Sequence, residues 1–350
     1  YVQDDSRGRH TRLNTPCLSH PTFSFTDQEF LAAMLMLTAQ QLSSLNLPTK
    51  KVAENIRSLL LHRMNKRAVN LPKLSYSAPN GNLFQTMMAV SEDPAYAVTK
   101  SVGLSPHNMG RGLPHIGSTV TLFDGVTGLP LALLDGAWLT AIRTAALTLV
   151  AALQLASKDS SRIGFVGAGT QARSHLRAFQ ECFPIEKVVV YSRTEESRRE
   201  FSNWANDQGV RSLTTEFPEE LLESCQIVIS SVPASKNLKP FLDPSRLSSN
   251  SFIGAVDCGR SWMFDRLDPK DWVVIDDYEQ ERGAHEPLIE KSKVNQDLSQ
   301  LVSAGNGKQF AQYRRFFIFR GLALGDLGGA ITAYEAAVEA GIGETLIMSS

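Results

Sequence analysis

The residues most able to do chemistry run Gly167-Ala168-Gly169-Thr170-Gln171-Ala172. An apolar run from Ile163 to Val166 precedes them, and Leu176, Phe179 and Phe183 follow at helical spacing. This is a G-x-G-x-x-A turn between a strand and a helix, the arrangement that cradles a dinucleotide pyrophosphate. Gly167 permits the tight turn, Gly169 lets the backbone approach the phosphates, and Ala172 keeps helix and strand close. The phosphates would sit on unpaired N–H groups at the helix start, beside Thr170 and Gln171. A purely structural glycine turn is the alternative. A second strand, Val188 to Tyr191, ends in Ser192-Arg193-Thr194, with no acid before Glu195. A carboxylate there would accept from a ribose 2′-hydroxyl and favour NAD. An arginine between two hydroxyls suits a 2′-phosphate and favours NADP(H). NAD(H) stays open, because Arg193 could simply stack on the adenine. Ser231, after the strand Ile227 to Val232, is expected on the adenine side.

Those residues need a scaffold. Strands ending at Val166 and spanning Val188 to Tyr191, Ile227 to Val232, Phe252 to Val256 and Trp272 to Asp276 alternate with helical segments. That alternation predicts an α/β class with a doubly wound parallel sheet. A long Ala- and Leu-rich helix, Leu139 to Ala156, leads into it. Upstream, Asn70 to Tyr76, Asn82 to Val90, Ala95 to Val102 and Gly117 to Asp124 read as a meandering sheet, with turns at Pro79-Asn80-Gly81 and Asp124 to Gly128. A helix is expected from Lys51 to Met64. Another, carrying Phe30, Met34 and Leu37, is expected after the capping pattern Thr26 to Glu29. Residues 1–25 read as a loose polar arm. Near the end, Leu327 to Ala340 is a small-residue helix suited to close packing on another helix, which could return the chain to its first domain.

With 350 residues, the chain has room for two domains. A net charge of −1 offers no global field for nucleic acid or an anionic membrane. Cys17, Cys182, Cys225 and Cys258 lack metal or disulfide spacing and fit reduced thiols in a cytoplasmic protein. The histidines form no metal set; His107 and His115 flank the loop after Lys100, where one could touch substrate. No apolar run is expected to reach the length of a membrane span, and Asp4, Asp5, Arg7 and Arg9 do not read as a secretory signal.

The ordered motifs before the glycine turn are more specific than any one of them. They are Lys100 to Asn108, Gly112-Leu113-Pro114, Thr127 to Pro130, Ala132 to Gly136 and Leu139 to Ala146. Followed by Gly167 to Ala172, they resemble the ornithine cyclodeaminase/mu-crystallin family over roughly residues 70–345. The resemblance implies a homodimer. Residues 1–145 plus 310–350 would form a dimerisation and substrate domain, and residues 146–309 a Rossmann domain inserted into it. The active site would lie in the cleft between them. The family carries two chemistries, a redox-neutral cyclodeamination with retained NAD and a net reduction of ketimines by NAD(P)H.

The resemblance also assigns residues. Arg143, a cation in an apolar helix, matches the arginine that grips the substrate carboxylate, and a buried structural ion pair is its alternative. Lys100 matches a lysine near the substrate that could bind the carboxylate or donate a proton to the nitrogen. Asn108 and Pro114 shape the loop under the substrate. Lys73 stands where many relatives have arginine, so its carboxylate contact loses the planar fork. Asp257, just past an apolar strand, is the candidate for the aspartate that cyclodeaminases use on the amine. The register leaves Gly259 as the other match and turn-capping as the other role. Gly321 and Asp326 match the nicotinamide-side segment, whose usual lysine and serine are replaced by Ile318 and Phe319. Phe84, Met87, Met88, Trp262 and Phe264 are the apolar candidates for the pocket wall. The expected activity is NADPH-dependent reduction of a small cyclic α-imino acid. Ornithine-type cyclodeamination and NADPH binding without turnover are the other readings.

Overall fold

The computed structural model describes residues 32–235, 237–284, 286–305 and 312–348. They build two eight-stranded sheets. In the first, spatial order runs Glu344–Met348, Ala32–Leu37, Pro130–Asp135, Ile116–Asp124, Ala95–Leu104, Leu83–Glu92, Ala68–Asn70, with Leu74–Ser77 also pairing to Leu83–Glu92. All pairs are antiparallel except Ala32–Leu37 with Pro130–Asp135. The expected meander is present, joined by strands contributed from both ends of the described chain.

The second sheet is wholly parallel. Its order is Arg211–Thr215, Lys187–Tyr191, Arg162–Val166, Ile227–Ser230, Phe252–Ala255, Arg315–Ile318, Trp272–Ile275, Gln296–Asp297. The order reverses between Arg162–Val166 and Ile227–Ser230, which opens the ligand crevice at the strands' C-terminal ends. The strand Arg315–Ile318 wedges between Phe252–Ala255 and Trp272–Ile275. The return to the first domain, expected at residue 310, therefore falls after Ile318.

A three-helix layer joins the two sheets: Thr49–Met64, Gly136–Leu155 and Ala323–Ala340. Glycines set its spacing. A Cβ on Gly325 would come within 2.5 Å of Leu147, on Gly328 within 2.7 Å of Ile56, and on Gly329 within 2.8 Å of Leu139. Gly136–Leu155 is long and apolar enough to span a bilayer by length and composition, contrary to the expectation that no run reaches that length. Its most apolar window is 67% buried inside the protein, as befits a core helix.

The segment expected to be a helix through Met34 and Leu37 is the strand Ala32–Leu37. Its Leu35 and Leu37 pair with Ala132 and Leu134, so sheet pairing on both edges overrides an ambiguous apolar spacing. Thr38 then starts the helix Ala39–Ser44 with a reciprocal Thr38–Gln41 capping box. The arm over residues 1–25, the Thr26–Glu29 cap and Phe30 lie outside the described residues.

Helices from the two halves of the chain also share a cap. Thr49–Met64 begins after Pro48, which offers no capping side chain. Glu181, just past the dinucleotide helix, accepts from Thr49 N at 2.9 Å and Lys50 N at 2.7 Å. Its carboxylate sits on the positive end of the helix Thr49–Met64, more than a hundred residues earlier in the chain. Replacing Glu181 with alanine is expected to cost about 1 kcal/mol, in the range for lost N-caps. A urea titration followed by circular dichroism would read it as a lower midpoint at unchanged slope.

Candidate active site

Strand alternation carries Lys100 inward. On Ala95–Leu104, Tyr96, Val98 and Lys100 share the buried face. Lys100 pairs across to Met87 on one side and Val120 on the other, both buried. Its ammonium donates to Asp326 Oδ1 at 3.0 Å and to the Thr140 hydroxyl. Arg143, one helical turn after Thr140–Leu139, places Nε 3.1 Å from the same Asp326 oxygen. Asp326 lies in the first turn of Ala323–Ala340 and is fully buried. Burial pushes the Lys100 ammonium down to about 8, against the opposing pull of Asp326.

Lys73 reaches the same place from the loop before Leu74–Ser77 and donates to Arg320 O at 2.6 Å. Burial lowers its pKa too, and the nearby Arg143 charge adds to that. The two meet around Gly321. A Cβ there would lie 3.0 Å from Lys73 Nζ and 3.5 Å from Arg143 Nη1, and Gly321 has φ +103°. Only glycine leaves that approach open.

Arg143 Nη1 and Asp326 Oδ2 are buried and have no hydrogen-bond partner among the described residues. Leaving such groups unpaired costs on the order of 1–3 kcal/mol each, more when charged. A carboxylate seated between Lys73, Lys100 and Arg143 would satisfy the guanidinium. The Phe319 ring lies 5.5 Å from Arg143 Cζ and is itself buried, so it backs the guanidinium with an apolar wall.

Sequence reasoning missed Asp276. It is buried at the end of Trp272–Ile275 and accepts from Arg320 N at 3.0 Å and Gly321 N at 2.6 Å. Desolvation raises its carboxyl to about 6, against the pull of Lys73. Asp277 next to it takes Arg63 Nη2 at 2.6 Å and Asn70 Nδ2 at 2.9 Å. Asn70 Oδ1 in turn accepts from Ala323 N and Leu324 N, capping the helix that carries Asp326. An acid after a buried strand was the available signal.

Asp257 is a correction. Its carboxylate accepts from Ser230 Oγ, Ser261 Oγ, Gly259 N and Val232 N at 3.1, 2.6, 3.1 and 3.4 Å. Those four donors make it the clasp of its own loop, the turn-capping role, rather than a group held out toward an amine. Asn108 behaves as a loop-shaping residue, donating from Nδ2 to Pro114 O at 2.7 Å. Of the wall candidates, Met87 neighbours Lys100, whereas Phe84 is 53% exposed on the sheet surface. Trp262 is buried against Phe316 and donates from Nε1 to Ser230 Oγ.

The glycine turn fits a dinucleotide. Gly167 has φ +105°, and a Cβ on it would come within 2.9 Å of Ser231 Oγ. Gly169 is the N-cap of Thr170–Gln180 with no side-chain cap, and the space where its Cβ would project is open. Ala172 is fully buried. Free N–H groups at Thr170 and Gln171 are thus left for phosphate oxygens. Arg193 is exposed after Lys187–Tyr191. The Thr194 hydroxyl is committed, accepting from Ser197 N and donating to Ser197 Oγ, and the Ser192 carbonyl accepts from Arg198.

Against known proteins, the family model for the ornithine cyclodeaminase/mu-crystallin family matches residues 33–341. The chain belongs to this family. A Δ1-pyrroline-2-carboxylate reductase of Bacillus cereus is 31% identical over 274 residues, 74% of this chain and 83% of that protein. The structure of the Thermococcus litoralis Δ1-pyrroline-2-carboxylate reductase in complex with NADH and L-proline superposes with TM-score 0.79 at 28% identity. It covers 89% of this chain and 99% of that one. An archaeal alanine dehydrogenase dimer with bound NAD gives TM-score 0.79 at 25% identity, covering 91% of this chain and 100% of that one. The parallel sheet is accordingly a Rossmann unit of an oxidoreductase-type family whose members act on small amino and imino acids.

Proposed function

We propose that this chain reduces a small cyclic ketimine carboxylate of the Δ1-pyrroline-2-carboxylate type, with NADP(H) preferred to NAD(H), as a cytoplasmic homodimer. The observation that carries the reading is the convergence of Lys73, Lys100 and Arg143 on Asp326 and Gly321, with Arg143 Nη1 left unpaired. Arg143 and Lys73 hold the substrate carboxylate. Asp326 fixes the Arg143 and Lys100 head groups in place. Lys100 Nζ holds a proton for the imine nitrogen and recovers it from solvent. Phe319 keeps water from the guanidinium. The nicotinamide, when bound, supplies a hydride to the imine carbon, so that C=N becomes CH–NH with that proton. Ornithine cyclodeamination would need a dependable acid or base at the amine; Asp257 is engaged with four donors, which leaves Asp276 as the candidate for that reading.

The test is loss of absorbance at the reduced-nicotinamide band with Δ1-pyrroline-2-carboxylate and its six-membered homologue, using NADPH and then NADH. Oxidation with neither would refute the reading. With the Thr194 hydroxyl committed, Arg193 is the charged candidate for a 2′-phosphate. Arg193→Ala should lower kcat/KM for NADPH about tenfold or more, the size of a charge-assisted hydrogen bond, and leave NADH within about twofold. Equal losses for both cofactors would place Arg193 on the adenine instead.

Dimerisation is supported by an exposed apolar strip on the first sheet. Leu74, Tyr76 and Phe84 are 75%, 65% and 53% exposed; they share one face, and Tyr76 and Phe84 are direct cross-strand partners. Sedimentation equilibrium should give a dimer, and the double variant Tyr76→Glu, Phe84→Glu a folded monomer. A monomeric parent chain would contradict this part of the proposal.

A further inference from the structure

We infer that His175 is a positioning residue that locks the dinucleotide turn onto the helix bearing Arg143, through the hydroxyl of Thr148. Both residues are fully buried. His175 lies on Thr170–Gln180 and Thr148 on Gly136–Leu155, so the contact joins the cofactor helix to the substrate helix. His175 Nδ1 is 2.7 Å from Gln171 O, and Nε2 is 3.0 Å from Thr148 Oγ1.

Proton bookkeeping fixes the direction of this chain. A carbonyl only accepts, so Nδ1 carries the proton and donates to Gln171 O. Burial pushes the imidazole down to about 4, which removes the second proton at neutral pH. Nε2 is therefore bare. The Thr148 hydroxyl has one proton and two acceptors in reach, Nε2 at 3.0 Å and Thr144 O at 3.1 Å. Thr144 O already takes a helical N–H, and a hydroxyl turned toward it would face Nε2 lone pair to lone pair, so the proton goes to Nε2. Thr148 is itself wedged: a Cβ on Gly254 would come within 2.8 Å of its Cγ2. Gln171, whose carbonyl is held, follows Gly169 and Thr170 in the phosphate-binding turn, and its own Oε1 is buried without a partner among the described residues. The relay thus sets the pitch of the first helical turn relative to a helix whose Arg143 lies five residues before Thr148. It rests on the proposed function only in taking the turn after Gly167 as the dinucleotide site.

Thr148→Val keeps the volume and removes the hydroxyl, whereas Thr148→Ser restores it. The dissociation constant for NADPH, read from its fluorescence on binding, should rise about tenfold in the valine variant, one hydrogen bond's worth. It should return to within about twofold of the parent in the serine variant. Nitrogen-15 spectra of labelled histidine should show a neutral His175 protonated at Nδ1. An unchanged dissociation constant in Thr148→Val, or a His175 protonated at Nε2, would overturn the inference. A parent chain that binds neither NADPH nor NADH would instead sink the proposed function, and the tautomer would then decide the relay alone.

Discussion

Replacing Arg143 with alanine is expected to lower kcat/KM for the cyclic imine carboxylate by about a thousandfold. Removing one half of a buried, hydrogen-bonded charge pair costs roughly 2–5 kcal/mol, and a thousandfold is about 4 kcal/mol of that range. Most of the loss should fall on KM, because in the proposed role the guanidinium would hold the carboxylate in the ground state and the transition state alike. Arg143 also pairs with Asp326, so alanine leaves that buried carboxylate facing Lys100 alone. The melting temperature should fall as well. Arg143→Lys keeps the charge but loses the fork, and should recover only part of the activity. Unchanged KM with a folded variant would remove the carboxylate anchor from the account.

Lys100→Met is expected to lower kcat by about a hundredfold to ten-thousandfold, the range for loss of a positioned general acid. The pH profile carries the sharper signature. In the proposed role the protonated ammonium is the active form, and burial brings its pKa to about 8 from the usual 10.5. Reduction should therefore be level below about pH 8 and fall about tenfold per unit above it. Lys100→Met should lose that alkaline limb while keeping cofactor affinity. A limb that persists in the variant would assign the titration to another group.

How much of this was legible depended on whether the deciding contacts are local. The glycine turn is contiguous in sequence, and its strand, turn and helix formed where the apolar spacing put them. Lys100 was readable as a lysine on the inward phase of an alternating strand, although its partner Asp326 is far away in sequence. Asp257 shows the limit. An acid after a buried strand looks the same whether it serves substrate or clasps a loop, and the donors from Ser230 and Val232 come with a neighbouring strand. The same non-locality hid the strand Arg315–Ile318. Its apolar run is plain, but the slot between two earlier strands is a property of sheet order. Ala32–Leu37 was mistaken because five or six apolar residues satisfy helical and extended spacing equally, and only the flanking strands decide.

The central claim is net reduction rather than redox-neutral ring closure, and stoichiometry tests it most directly. With Δ1-pyrroline-2-carboxylate and NADPH, the account predicts one cyclic amino acid formed for each reduced cofactor consumed, and no ammonia. Ammonia released from ornithine with no net change in cofactor absorbance would contradict it.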